Sequence, residues 1–494
     1  MFRKVAIIGA GFAGLSTSKV FQSFGHQVSV FEKEADVGGV WSASRRYPGL
    51  TTQNVRDTYA LSDFPYPADY PEWPSGEQVQ HYLESYASHF NLTASIELNT
   101  EVVDAQLDEK QLFWQVNTRR NGQENTHQFD YLVVCNGIFS EPALPHYQGE
   151  GEFLAAGGRI CHTSQLTDLK SVRNKHVLVV GYGKSSCDVA QAVCDEAAST
   201  RVVVRQLIWK VPKMLMNVLN YKYLLLTRMG EGLFKYITLS GFEKFLHGVG
   251  KPIRNSMISQ VQWVVTTQCK LKQLDLLPDM PFETIARSTV SLVTDGFFES
   301  VAAKKITVNK NTQISLLSAG ADGRFAELAT GEKVAADVVV CGTGWQQTVP
   351  FLSSALMSRI TDSEGNFRLY RSMTPVGLPR LAFNGYNSSF FSQLNCEIGA
   401  LWLVDLISGG LKLPSEQVQN QTITDRLAWM SERTAGKHSK GTNIIPFSLH
   451  HIDELLTDMK LPMDALTRFK QWLLPTNPGD YRYVTRKMLA RYKA

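Results

Sequence analysis

From Arg3 to Ile8 the chain is a short apolar run rich in β-branched residues, the pattern of a strand buried on both faces. Gly9-Ala10-Gly11-Phe12-Ala13-Gly14 follows, then a helical stretch expected from about Leu15 to Phe24. A second apolar run, His26 to Phe31, ends on Glu32-Lys33. The same succession restarts far downstream. His176–Val180 predicts a strand, Gly181-Tyr182-Gly183-Lys184-Ser185-Ser186 a turn, and a helix should reach about Ala198. Arg201–Val204 is then the next strand, with Arg205 after it. Two further apolar runs resemble each other, Asp130–Gly137 and Asp337–Gly344, each leading from an aspartate through a buried strand into a glycine turn.

Between these cores the pattern is less regular. Gly38-Gly39-Val40-Trp41 and Tyr47-Pro48-Gly49 punctuate a loop that continues from Thr51 to Pro74, long enough to suggest function. Ser75 should cap a helix through about Phe90, and strands are expected near Ile96–Asn99, Glu101–Leu107 and Phe113–Thr118. Val211 to Lys270 is apolar, basic and helix-like, and the stretch after Leu413 is polar and expected to be mostly helical.

G-x-G-x-x-G between a strand and a helix is a dinucleotide cradle. Gly9 makes the tight turn, Gly11 lets a pyrophosphate approach the backbone, and Gly14 lets helix and strand pack closely. The helix N-terminus supplies free N–H donors, and Glu32 at the end of the second strand can accept from ribose hydroxyls. In the second copy Ser186 replaces the third glycine and is still small, and Arg205 stands near where the first copy has its acid. The expected fold is therefore α/β with two Rossmann-like dinucleotide-binding domains, the second inserted in the first. The first domain would be discontinuous, 1–165 and 335–410. The second would span 166–334 and carry a helical insert at about 211–270, and 411–494 would be a helical C-terminal extension.

A chain of 494 residues is too long for one ordinary core, in keeping with that division. Net charge is +4, which anionic dinucleotides account for, and no nucleic-acid-binding face is indicated. The seven cysteines contain no C-x-x-C pair and none precedes Cys135, which argues against a disulfide framework and a thiol-redox site near the N-terminus and for a reducing, cytoplasmic setting. No signal peptide is expected before the first strand, no metal cluster is suggested, and no run reaches the roughly 18 apolar residues of a membrane span. For 211–270 the plain expectation is a packed helical subdomain, with a lid or a weakly membrane-associating surface as alternatives. Oligomeric state, a homodimer included, stays open.

Gly9–Gly14, Glu32, Gly38–Trp41, Asp63-Phe64-Pro65, Gly181–Asp188 and Cys341–Trp345 resemble, in order and spacing, the flavin-containing monooxygenases and their Baeyer–Villiger and N-hydroxylating relatives. The resemblance implies FAD at the first site, held by Gly9, Gly11, Phe12, Ala13, Gly14, Glu32, Lys33, Gly39, Val40 and Trp41. It implies NADPH at the second, held by Gly181, Gly183, Lys184, Ser185, Ser186 and Arg205. Thr343 and Gly344 fall in a segment similar to the family's A-T-G-Y link between the domains, and Glu397 and Trp402 look like its last flavin-domain helix. The catalytic asparagine of the family sits before D-F-P. Counting back from Asp63 gives Gln53, or Asn54 with a one-residue loop difference, and Arg56-Asp57 stand where the family has Lys-Glu. The family's signature around His162 is incomplete, with Ala156 and Leu166 where aromatics belong, and His162 itself reads as structural. The implied activity is NADPH- and O2-dependent oxygenation of a nitrogen or sulfur atom of a small organic substrate through a flavin C4a-hydroperoxide. Ketone oxidation, a quinone reductase and a non-enzymatic nucleotide module are the alternatives.

Overall fold

The computed structural model describes residues 3–287, 291–437 and 439–493. Ten strands build its two main sheets: β1 (Lys4–Ile8), β2 (Gln27–Phe31), β3 (Ile96–Glu97), β4 (Tyr131–Val134), β5 (Arg159–His162), β6 (His176–Val180), β7 (Ser199–Val204), β8 (Ile306–Lys310), β9 (Val338–Cys341) and β10 (Leu381–Phe383). The first sheet runs β10-β4-β1-β2-β3 and the second β8-β7-β6-β9-β5, every pair parallel. Parallel strands must be covered on both faces, which is why β4 and β9 are buried along their whole length and apolar at every position.

The helices that position the site and its surroundings are α1 (Phe12–Ser23), α2 (Gly76–His89), α3 (Lys184–Val193), α4 (Gly241–His247), α5 (Lys251–Gln268), α6 (Ser392–Ile407), α7 (Glu416–Thr434), α8 (Ser448–Asp458), α9 (Ala465–Leu473) and α10 (Arg482–Lys493). Ser75 caps α2 in a reciprocal capping box with Gln78, as the S-x-x-Q spacing predicts. Helix α6 is apolar almost all round, so it lies inside the molecule, packed along α1.

The two Asp-led strands do the same work. Asp130 accepts the backbone N–H of Lys4 at 2.8 Å, and Asp337 accepts that of His176 at 2.8 Å. Each carboxylate thus ties the strand that closes a unit to the strand that opens it. One expectation changes here. Strand β9, counted with the first domain by the boundary at 335, pairs with β6 in the second sheet, and β5, before the boundary at 165, lies beside it. The second sheet therefore takes strands from both sides of the expected limits. The helix after the second turn is shorter than expected, ending at Val193. Residues 211–270 are mixed rather than all helical, beginning with a two-stranded hairpin, Met214–Leu215 and Leu219–Asn220. A strand at Gln123–Phe129 was not expected, because its residues are polar and largely exposed and show no apolar alternation.

The C-terminal extension fastens the insert to the first core. Arg228 of the insert makes a two-pronged contact with Asp453 of α8 at 2.7 and 3.0 Å. Arg371 reaches Glu454 at 2.8 Å and Asp458 at 2.8 Å, and Arg491 of α10 reaches Asp405 of α6 at 3.0 Å. His450, also on α8, lies between Glu231 at 2.8 Å and Glu243 at 2.7 Å. Burial alone would lower its pKa, but the hydrogen bonds to the two glutamates outweigh burial and raise it to about 9. Because the folded value lies above the ordinary one near 6.5, this contact stabilises the protein fully below that pH and is lost as pH rises through about 9. The loss should approach about 3 kcal/mol. Melting curves of the native protein and of His450→Gln between pH 6.5 and 10 should converge at the alkaline end, and parallel curves would show that the imidazolium contributes nothing.

Candidate functional site

At the C-terminal edge of the first sheet β1 turns into α1 through Gly9, whose φ is +104°. A Cβ there would lie 2.6 Å from the carbonyl oxygen of Cys135, and one on Gly14 would lie 1.8 Å from that of Gly9, so both positions need glycine. Gly11 differs. A Cβ on it would meet Gly39 Cα at 3.6 Å, an ordinary contact, and its φ of −84° suits any residue. The protein therefore tolerates a side chain at Gly11, and what needs the open space is a ligand at the backbone. The first hydrogen bond of α1 runs from Leu15 N–H to Gly11 C=O, leaving the N–H groups of Phe12, Ala13 and Gly14 without partners inside the helix. No acidic side chain caps this turn. The result is an anion cradle.

These atoms open into a cavity of about 400 Å³, lined by Gly9, Gly11, Phe12 and Ala13, by Glu32 and Lys33, and by Gly39, Val40 and Trp41. Glu32 accepts from Ala10 N–H at 2.7 Å and from Glu34 N–H at 3.0 Å, which fixes its carboxylate at the rim. Burial raises its pKa, and the two backbone donors oppose that rise. Further along, the wall carries Tyr59, Asn136, Asn387 and Gln393. Tyr386 O–H donates to Asn136 Oδ1 at 2.6 Å, and Asn136 Nδ2 donates to the carbonyl of Thr348 at 2.9 Å. Gln393 Oε1 and Asn387 Oδ1 are buried oxygens with no hydrogen-bond partner among the described residues. An unpaired buried amide oxygen costs about 1–3 kcal/mol. Two of them in one cavity fit a bound group that brings N–H donors. Burial pushes the pKa of the adjacent Cys135 thiol up to about 12.

The second turn repeats the geometry at the edge of the second sheet. Gly181 has a φ of +110°, and a Cβ on Gly183 would meet nothing within 4 Å, so the backbone is open to a ligand. Ser186, in the third-glycine position, is buried and its hydroxyl lies 3.4 Å from the carbonyl of Gly342. Arg205 stands exposed just past β7 and makes no ion pair among the described residues. The neighbouring lysines are occupied. Lys184 pairs with buried Asp188, which also accepts from Tyr47 and Thr294. Lys210 donates to Ser291 at 3.0 Å, and Lys213 pairs with Asp295 at 2.6 Å.

Of the residues put forward as catalytic, none lines the 400 Å³ cavity. Asn54 is buried and donates from Nδ2 to the carbonyl of Phe390 at 2.7 Å, immediately before α6. Gln53 turns the other way, its Oε1 accepting from Leu292 N–H at 3.1 Å and its carbonyl from Tyr221 O–H. Arg56 is held by the carbonyls of Ala68 and Tyr70, and the Asp57 side chain is 72 % exposed. His162 is buried against Trp345 with Nδ1 2.9 Å from Ser164 Oγ, and burial pushes its pKa down to about 4, so it is a neutral strut. Thr343 and Gly344 bond to Ala143 beside it, holding the link between the sheets. Glu397 sits under the Asp63-Phe64-Pro65 loop and accepts from Ser62 N–H and Oγ–H, both at 2.8 Å, while Asp63 pairs with Lys19 of α1.

The cavity residues that the sequence did not put forward include Arg45, Tyr59, Asn136, Asn387 and Gln393. They come from separate segments and share no spacing. The one signal was proximity, since Asn136 precedes Gly137 in the Asp-led run and Gln393 precedes Glu397 on a helix already noted.

The sequence profile described as flavin-binding monooxygenase-like matches residues 2–464. Flavin-containing monooxygenase 1 of Mus musculus is 25 % identical over 484 residues, covering 94 % of this chain and 82 % of its own. Among solved structures, S-allyl-L-cysteine S-oxygenase from Allium sativum superposes with a TM-score of 0.64 at 18 % identity, covering 100 % of this chain and 98 % of the other. Cyclohexanone monooxygenase from Rhodococcus sp. Phi1, bound to NADP+, superposes with a TM-score of 0.65 at 17 % identity, covering 99 % of this chain and 98 % of its own.

Proposed function

The chain belongs to the flavin-binding monooxygenase-like family and is an NADPH-dependent flavoprotein monooxygenase using FAD, and from that premise we propose that it oxygenates a nitrogen or sulfur atom of a small organic substrate. The observation that carries this reading is the character of the polar groups around the flavin cavity. Besides the charged Glu32, Lys33, Arg45, Glu101 and Glu141, the wall carries the neutral amides Asn136, Asn387 and Gln393, and the side-chain oxygens of the last two lack partners among the described residues. Ketone oxidation calls for a fixed cation beside the reacting oxygen, and Arg56 is held elsewhere by loop carbonyls. Arg45 faces the cavity at the Glu32 end, where it senses Glu34 and Glu32.

Gly9 to Gly14 would hold the flavin's pyrophosphate, Glu32 its ribose, and Gln393 and Asn387 the donor edge of its ring. When bound, the flavin takes a hydride from NADPH, activates O2 and delivers one oxygen atom, and the other leaves as water. The chain's part is to orient and to exclude water. Phe12, Trp41 and Tyr59 close one wall with edge-on ring contacts at 5.5 and 5.8 Å. Asn54, outside the cavity lining, holds the Phe390 carbonyl just before α6 and so positions the helix that carries Gln393 on the wall. The test is a competition among a tertiary amine, a thioether and a cyclic ketone with NADPH and O2, followed by product analysis. Oxygenated amine or thioether should dominate. An ester as the main product would assign ketone oxidation instead.

Arg205 gives the second turn its cofactor preference. A guanidinium paired with a 2′-phosphate contributes roughly 1.5–3 kcal/mol, on the order of ten- to a hundredfold in affinity. With Lys184, Lys210 and Lys213 engaged, Arg205→Ala should lose nearly all of that preference. Titrations with both cofactors check it, since NADPH binding should weaken and NADH binding stay level. Equal losses would remove Arg205 from the site.

A further inference from the structure

The insert and the C-terminal extension meet at a surface that leaves apolar side chains in water. Phe242 and Phe245 of α4 stack at 5.4 Å, and Phe242 meets Trp472 of α9 edge-on at 5.7 Å, so the two helices lie side by side. Helix α9 turns Leu466, Phe469 and Leu473, one stripe at helical spacing, outward, with Phe469 62 % exposed. Its buried contact is made by Gln471, the reverse of an ordinary surface helix. Val249, just after α4, is 87 % exposed and extends the patch towards α5.

The charged side chains left unpaired beside this patch are lysines, whereas Arg254 pairs with Glu283 and Arg468 with Asp453. Residues 232–256 and 465–474 contain the acid Glu243 alone, and that carboxylate is buried against His450. Lys235, Lys244, Lys251 and Lys470 are exposed and enter no ion pair among the described residues. Asp464 caps the start of α9.

We propose that α4, the start of α5 and α9 together form a face that docks on an anionic phospholipid bilayer, with the aromatic and aliphatic stripe entering the interface and the lysines meeting headgroup phosphates. Charge complementarity selects this occupant. A symmetric dimer through the same face would bring these lysines against their own copies. No described helix is long and apolar enough to cross a membrane, so the docking is peripheral. The face is independent of the oxygenase assignment, and its test needs no turnover.

The experiment is vesicle sedimentation of the full-length flavoprotein with neutral vesicles and with vesicles containing roughly 30 % anionic lipid. Binding to anionic vesicles should exceed that to neutral ones by at least about tenfold and fade at high salt. Phe469→Ser with Leu473→Ser should weaken it at least about tenfold, since each buried side chain is worth about that factor. Both positions are exposed, so flavin absorbance and melting should stay unchanged, and Val418→Ser on α7, also exposed, should bind normally. No binding to anionic vesicles, or undiminished binding by the double variant, overturns the proposal. A concentration-dependent dimer that the double variant abolishes overturns it in favour of a second copy of the chain.

Discussion

Replacing Gly11 by valine should yield soluble, folded and colourless protein. The glycines of the first turn face different neighbours. A Cβ on Gly14 would collide with the Gly9 carbonyl at 1.8 Å, so Gly14→Ala should fail at folding. At Gly11 the nearest atom is Gly39 Cα at 3.6 Å, and the extended backbone, φ −84° and ψ −167°, is one that β-branched residues favour. The methyl groups of valine would instead stand where the pyrophosphate must approach the unpartnered N–H groups of α1. Losing two charge-assisted bonds of about 1.5–3 kcal/mol each weakens binding on the order of a hundred- to ten-thousandfold. The check is the ratio of flavin to protein absorbance in purified Gly11→Val, alongside its melting curve. Full flavin occupancy would place the cofactor elsewhere, and a failure to fold would show that the turn itself needs the glycine.

The sequence was most readable where a local rule sets the structure. The strand–glycine turn–helix–strand units appear in the expected order with their strands within about two residues of the expected limits, although α1 begins at Phe12 and α3 ends at Val193, because apolar runs, φ-positive turns and short connections are local properties. The likeness of Asp130–Gly137 to Asp337–Gly344 was equally legible, and the structure supplies its reason in the two aspartates that receive the opening strand's N–H. What stayed hidden depends on distant chain. The strand at Gln123–Phe129 is polar because it lies at the edge of its small sheet, mostly in water, so its pairing with Phe113–Arg120 left no apolar alternation. Asn387 and Gln393 become cavity walls only after β10 and α6 have been laid against β4 and α1. The outward stripe of α9 is visible in sequence as a periodic pattern, yet nothing in the pattern says that it faces water rather than the core.

Gln53 and Asn54 could not be separated by counting, because a loop has no period against which to set the register. The structure sends them in opposite directions, and this predicts different losses. Asn54 holds the Phe390 carbonyl at the threshold of α6, which carries Gln393 on the cavity wall. Gln53 holds Leu292 and Tyr221, on the side of the second sheet and the insert. Asn54→Ala should therefore still oxidise NADPH, because hydride transfer needs no donor from this loop. Its oxygen chemistry should suffer, since the start of α6, and with it Gln393 on the cavity wall, loses its anchor. A preorganised donor is worth about 3–4 kcal/mol where full charge develops, and a displaced one costs less than its removal. On the order of a tenth to a hundredth of the product per NADPH should remain, the rest of the oxygen leaving as H2O2. Gln53→Ala should keep its product-to-peroxide ratio and raise KM for NADPH, because it loosens the contact between the loop and the short strand pair of Ser291–Leu292 with Lys210–Val211. The measurement is NADPH consumed, H2O2 released and product formed, for each variant with the same thioether. A Gln53→Ala that uncouples while Asn54→Ala does not would exchange the two roles. Unchanged ratios in both would make the loop a scaffold and leave the reacting oxygen to Asn387, Gln393 and the backbone.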